Sequence, residues 1–247
     1  MNKLTRVEKK RRKKRFFRRI ALFIIFIVVL YNALIRIDLF NVQKIEITGN
    51  NIITEAQIIE KTGIDLGDNL FKINRFSVAD RIMTIGYIEE VNIDKVLPKT
   101  IRISIKERTP YVEVLYDDKY YVFDINGILL ERRSESFEGL TIITNLQIED
   151  LKEGQELNID SDFVEIFKDE KIINIINKIK SIDFSDEQNI KIILNKNIPV
   201  EFGSLYNIKY KLLQLGEIIN DIEKKNIPTK MIIMNKGEYP ILVRDDN

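Results

Sequence analysis

From Ile20 to Ile35 the chain runs sixteen residues without a charged side chain, and Asn32 is the only strongly polar residue among them. At about 1.5 Å of helical rise per residue, this run falls a little short of a hydrocarbon layer about 30 Å thick. Its flanks make up the difference. Phe16 and Phe17 precede it, Leu39 and Phe40 follow, Tyr31 suits the interface, and Arg18, Arg19 and Arg36 have stems long enough to snorkel. Eleven Lys and Arg residues against one Glu crowd the first nineteen positions. A block of that sign directly before an apolar helix keeps the N-terminus in the cytoplasm and sends the rest of the chain across the membrane, with Arg15, Arg18, Arg19 and Arg36 as flanking cations. The exit, Tyr31-Asn32-Ala33-Leu34-Ile35-Arg36, lacks the pair of small residues at positions −3 and −1 that cleavage requires, so the segment reads as an uncleaved signal anchor. The same cations disfavour a buried core helix.

The formal net charge of +1 therefore hides a split, because residues 20–247 carry 28 basic and 37 acidic side chains. A folded part about nine charges negative repels phosphate, which argues against nucleic-acid binding. With no Cys and no His, the sequence excludes disulfides, thiolate nucleophiles, imidazole bases and His-ligated metals. The 247 residues, 45% apolar, suffice for one or two small cores.

Beyond the anchor the hydrophobic period changes in a legible order. Val42 to Thr48 reads as a strand ending in the Gly49-Asn50-Asn51 turn. Thr54 and Gln57 have capping-box spacing for a short helix that stops before Gly63. Asn74 can cap a second helix with Val78, Ile82 and Ile85 on one face and Gly86 at its end. Strands Ile88–Leu97 and Thr100–Lys106 follow, joined at Pro98-Lys99, with Ile101, Ile103 and Ile105 on one face. The order β-α-α-β-β predicts a three-stranded sheet with one face covered by two helices.

From Pro110 the signals are those of a meander: Tyr111–Tyr116, Tyr120–Asp124 and Ile128–Arg132, with Asn126-Gly127 as a two-residue hairpin turn. A helix is expected over 162–179, then strands Ile190–Leu194 and Pro199–Phe202. Ile208, Leu212, Leu215, Ile219 and Ile222 mark the clearest helix, which should lie on a sheet and end at Asn226 and Pro228. Strands Met231–Met234 and Tyr239–Val243 close the chain around a Lys236-Gly237 turn.

Constellations that could carry chemistry are weak. Asn158, Asp160 and Asp162 alternate like a calcium loop, but Phe163 stands where the sharp-turn Gly belongs, and Asp160 or Ser161 suits a helix cap better. Glu89-Glu90 and Asp117-Asp118 project to opposite faces if extended and make no shared-proton pair. Lys95, Lys99, Arg102, Lys106 and Arg108 read as a solvated face, with an acidic partner or lipid headgroups as the functional alternative. Gly63, Gly67 and Asp68 lack the Lys and Ser/Thr of a phosphate loop and fit tight turns. No Ser-x-x-Lys follows the anchor, and no cofactor or metal site is expected.

The basic tail and single span, then FNVQKIEITGNNIITEAQI, GDNLFKIN, LPKTIRISIKERTPYV and YYVFDINGILL, with IPVEFGSLYNIKYKLLQLGEII further on, resemble in order and spacing the bacterial cell-division family FtsQ/DivIB. The resemblance implies an α+β chain: a cytoplasmic tail over 1–19, a transmembrane signal anchor over 20–39, a POTRA domain over 40–108, a mixed β domain with covering helices over 109–244 and a C-terminal end at 245–247. It implies a non-enzymatic divisome scaffold at the septum. Such a scaffold holds FtsL-like and FtsB/DivIC-like bitopic partners outside the membrane and acts through them on the septal peptidoglycan synthase complex. Carried over residue by residue, the partner edge is Tyr239, Ile241 and Val243, supported by Ile232 and Met234, in a place where the family often has Asp-Leu-Arg before it and this chain has Met231-Ile232-Ile233. The physics of an edge strand agrees, since its unpaired backbone groups accept an added strand, and Ile241→Pro is expected to remove a donor from that ladder. The alternatives are an extracytoplasmic cell-wall enzyme and a POTRA-bearing export component, the latter opposed by helices where a barrel should follow.

Overall fold

The computed structural model describes the backbone of residues 6–34, 37–148, 150–158, 161–237 and 239–245, and their side chains except in 6–13 and 161–163. The fold is α+β and divides into two compact units, residues 1–82 with 91–105 and residues 83–90 with 106–247.

The first unit opens with helix α1, Arg6–Leu34, of which Lys14–Leu34 is long and apolar enough to cross a membrane and is not buried in the protein. A single 3-10 turn at Asp38–Phe40 leads to strand β1, Lys44–Thr48. Helix α2, Glu55–Thr62, starts on the expected capping box, with Thr54 and Gln57 bonding reciprocally, and stops at Gly63 in the left-handed region at φ 58°. Helix α3 covers Arg75–Ile82, and the Asn74 side chain accepts from the Phe76 and Ser77 N–H groups. Strands β2, Ile88–Val96, and β3, Thr100–Glu107, complete a three-stranded sheet in the order β1-β3-β2. Val78, Ile82, Ile101 and Ile103 are buried, as the periodicity requires, and in α2 it is Ile58 that is buried while Ala56 and Ile59 are exposed.

Helix α3 stops at Ile82, short of the expected Gly86. Gly86 serves a different purpose: a Cβ there would collide with the Leu129 and Leu130 carbonyl oxygens, so the position admits only a backbone.

The second unit is built on a nine-stranded sheet. Its strands are β4 Pro110–Tyr116, β5 Lys119–Asp124, β6 Leu129–Arg133, β7 Thr141–Thr144, β8 Ile179–Asp183, β9 Ile190–Leu194, β10 Pro199–Gly203, β11 Thr229–Ile233 and β12 Ile241–Arg244. They run in the order β12-β11-β10-β9-β8-β7-β4-β5-β6. The single helix expected over 162–179 is instead α4, Ser161–Phe167, and α5, Glu170–Ile176. Asp169 interrupts it and caps α5 by accepting from the Lys171 N–H, and Ile179 already belongs to β8. Helix α6, Ile208–Lys225, buries Leu212, Leu215, Ile219 and Ile222 against one face of the sheet together with Ile172 and Ile176 of α5.

The hairpin turns also differ from expectation. The two-residue turn is Asp117-Asp118, with φ 48° and 57° between paired Tyr116 and Lys119. Asn126-Gly127 lies in a longer loop that Asp124 organises by accepting from the Asn126 and Ile128 N–H groups, and only Gly127 takes positive φ there.

Candidate functional site

The register of the large sheet sorts its side chains into two rows. Leu242, Ile232, Val200, Ile192 and Ile182 pair successively from β12 to β8. The last four are buried, and Leu242 packs on the same core. The next row, Ile241, Ile233, Glu201, Lys191 and Asp183, takes the opposite face because strand side chains alternate. On that open face the two outermost strands present Ile241, Ile233, Val243 and Met231, while the inner strands present charge. Ile241 is 48% exposed and Ile193, three strands further in, 41%.

Among the described residues β12 is also the outer strand of the sheet. The Met234 N–H donates to Glu201 O at 2.8 Å, which directs the even-numbered residues of β11 toward β10. By alternation Met231 and Ile233 bond toward β12, where Val243 and Ile241 oppose them. The Asp245 N–H turns inward as well, to Pro228 O at 3.2 Å. Leu242 and Arg244 therefore aim their N–H and C=O groups away from the sheet, as edge groups with no backbone partner among the described residues.

The residues expected at this edge do not all gather there. Ile241 and Val243 stand on the open face of β12. Tyr239 is 79% exposed but precedes the strand, which begins after Pro240. Ile232 is fully buried and Met234 packs against the helix-covered core, so both belong to the face away from the open patch. Met231, Ile233, Leu242 and Arg244 were not singled out by sequence, since MIIM is apolar throughout and shows no alternation by which to assign faces. Of the flanking cations, Arg15, Arg18 and Arg19 are exposed on α1, and Arg36 lies outside the described residues.

Asp183 on this face is locally satisfied. Asp183 accepts from the Asn145 side chain at 2.7 Å and from the Ser185 N–H at 2.9 Å, which holds its carboxyl below the usual range. Across the sheet, Lys211 of α6 lies 4.3 Å from the Phe202 ring centroid and donates to Ser204 O, and burial lowers its ammonium pKa.

The acidic residues of the second unit's interior have structural partners. Glu113 is buried and accepts from Ser136 Oγ and the Phe137 N–H. Asp124 pairs with Arg108 at 3.0 Å. A cleft of about 600 Å³ that Asp124 helps to line is walled by Tyr111, Phe123, Ile143, Phe167 and Phe184, and burial raises the Tyr111 phenol. Arg102 pairs with Glu46, and Lys106 with Glu89 and Glu90, so the basic face read along β3 is largely neutralised. Of the calcium-like trio, Asp160 and the Asp162 side chain lie outside the described residues. No cluster of His, Cys, Asp or Glu suited to a metal occurs among the described residues.

Residues 40–108 match the POTRA domain, FtsQ-type. The chain is 32% identical over 208 residues to the cell division protein DivIB of Clostridium acetobutylicum, covering 83% of this chain and 82% of that one. It is 30% identical to the DivIB of Clostridium botulinum strain Hall, over 87% and 86% of the two chains. It is 23% identical to the cell division protein FtsQ of Corynebacterium glutamicum, over 74% and 80%.

Proposed function

The chain belongs to the DivIB/FtsQ family of cell division proteins, and we propose that it serves the divisome as a non-enzymatic, membrane-anchored scaffold whose β12 edge receives a strand from a bitopic partner. The observation that carries this reading is the pairing of outward backbone groups at Leu242 and Arg244 with an adjoining open apolar face of Ile233, Ile241, Met231 and Val243. An added strand gains main-chain bonds from the first and side-chain selectivity from the second. FtsL-like and FtsB/DivIC-like proteins are the partners in this reading, and the septal peptidoglycan synthase complex is reached through them.

Topology supports the same assignment. The cationic block before Lys14–Leu34 keeps the N-terminus cytoplasmic and sends both folded units outside. Time-lapse imaging of the full chain, tagged fluorescently at its N-terminus in dividing cells, tests the role. A band at the septum is expected; a uniform envelope signal throughout constriction contradicts it.

A further inference from the structure

Helix α1 ends at Leu34, whose carbonyl oxygen accepts from Asn69 Nδ2 at 3.3 Å. The Leu70 N–H donates to Phe40 O at 2.9 Å, and the Phe40 and Phe71 rings meet edge to face with centroids 5.0 Å apart. The loop before α3 is thus tied to the end of the anchor. The uncharged run that begins at Ile20 ends at Ile35, with Arg36 after it, and a cation closing the far side of a span stands at headgroup level, which sets Leu34 near the membrane boundary.

Strand direction brings a second segment to this level. β1 starts here and runs away from the anchor, and β3 is parallel to it with Lys44 opposite Thr100. The β2–β3 hairpin therefore lies at the anchor end, where the Gln43 and Lys44 N–H groups reach Lys99 O at 2.8 and 3.3 Å.

This end exposes Leu39 (53%), Phe76 (68%) and Leu97 (59%), large apolar side chains turned to solvent. Between them stand Arg75, Lys95 and Lys99, none of which forms an ion pair with a described carboxylate. The Arg75 guanidinium lies 5.1 Å from the Phe76 ring centroid. Burial, and then the Arg75 charge, lower the Lys95 ammonium pKa, as expected of neighbouring cations with no acid between them. Of the nearby acids, Asp38 accepts from the Asn41 side chain, Asp68 from the Asp65 N–H and Asp94 from the Asn92 side chain.

Apolar tips among unpaired cations, level with the bilayer surface, match the interfacial layer of an anionic membrane. We propose that this end of the first unit docks on the membrane from which the chain emerges. Phe76 and Leu97 enter the headgroup–acyl boundary, and Arg75, Lys95 and Lys99 hold anionic phospholipid headgroups. The inference rests on α1 as the span and is independent of the β12 edge.

The chain has no Trp, so single replacements report alone. Full chains carrying Phe76→Trp or Leu97→Trp are reconstituted into phosphatidylcholine–phosphatidylglycerol vesicles whose acyl chains are brominated near the glycerol. Ile52→Trp, beyond the far end of β1, and Val28→Trp, inside the span, are the references. Quenching at positions 76 and 97 well above that at 52 is expected, as is loss of the excess when phosphatidylglycerol is omitted or when Arg75, Lys95 and Lys99 are all changed to Glu. Quenching equal to that at 52, with position 28 strongly quenched, overturns the docking and leaves the anchor standing. No quenching at position 28 overturns the span and the docking together. Neither result touches septal localisation, which tests the division role separately.

Discussion

Ile232 and Leu242 stand opposite each other across the β11–β12 pair, and both turn to the helix-covered face of the sheet. Their neighbours Ile233 and Ile241, also paired, consequently share the open face. The two rows make different predictions for substitutions only one residue apart.

Ile232→Ala empties a fully buried site and should cost about 2–5 kcal/mol of stability. Ile233→Ser and Ile241→Ser should change stability by about 1 kcal/mol or less yet weaken association with a co-reconstituted FtsB/DivIC-type partner. Chemical denaturation and partner titration on the same preparations separate the two effects.

The backbone makes a similar distinction. Ile241→Pro removes an N–H that faces β11 and should destabilise the β11–β12 pair itself, whereas Arg244→Pro removes an outward N–H and should spare the fold. Loss of one such bond should lower partner affinity roughly tenfold. Equal partner affinity in folded Arg244→Pro and in the unaltered chain contradicts strand addition at this edge.

Gly86→Ala should lower the urea midpoint, since its Cβ meets the Leu129 carbonyl oxygen at 2.6 Å as well as that of Leu130. Overpacking against backbone costs about 1–3 kcal/mol. An unchanged m-value would show that the loss lies in the native state.

The carboxyl of Asp183 is held below its ordinary range by Asn145 first and the Ser185 N–H second. A depressed folded pKa contributes stability that is present above the unfolded value of about 3.9 and lost as pH falls through the folded one. The stability difference between the unaltered chain and Asp183→Asn should therefore be constant near neutrality and shrink in acid. Thermal unfolding from pH 7 downward checks this, and a difference that grows in acid contradicts the assignment.

Much of the fold was legible where local chemistry and hydrophobic period agree. The Thr54–Gln57 box, the Gly63 stop and the α6 stripe from Ile208 to Ile222 all stand as read. The errors arose where one pattern serves two structures. Ile172, Ile175, Ile176 and Ile179 keep helical spacing, yet Ile179 is buried from strand β8, so the stripe concealed the change of element. Strand β7, only four residues of Thr and Ile, left no alternation to detect. Asp117-Asp118 resembled surface charge, although Asp tolerates the left-handed region better than most residues.

At the candidate edge, sequence indicated the strand but not its faces. Pro240 shortens β12 and leaves Tyr239 outside it, and the register that buries Ile232 is set by pairing across five strands. The same pairing directs the Ile241 N–H inward, so the donors available to a partner are the N–H groups of Leu242 and Arg244.

Hydrogen exchange at the amides of residues 241–244, followed in the membrane-reconstituted full chain with and without an FtsB/DivIC-type partner, tests strand addition most directly. The expected result is protection of Ile241 and Val243 in both states, with Leu242 and Arg244 exchanging rapidly alone and becoming protected on partner binding. Partner binding that protects other amides and leaves Leu242 and Arg244 unchanged would contradict it.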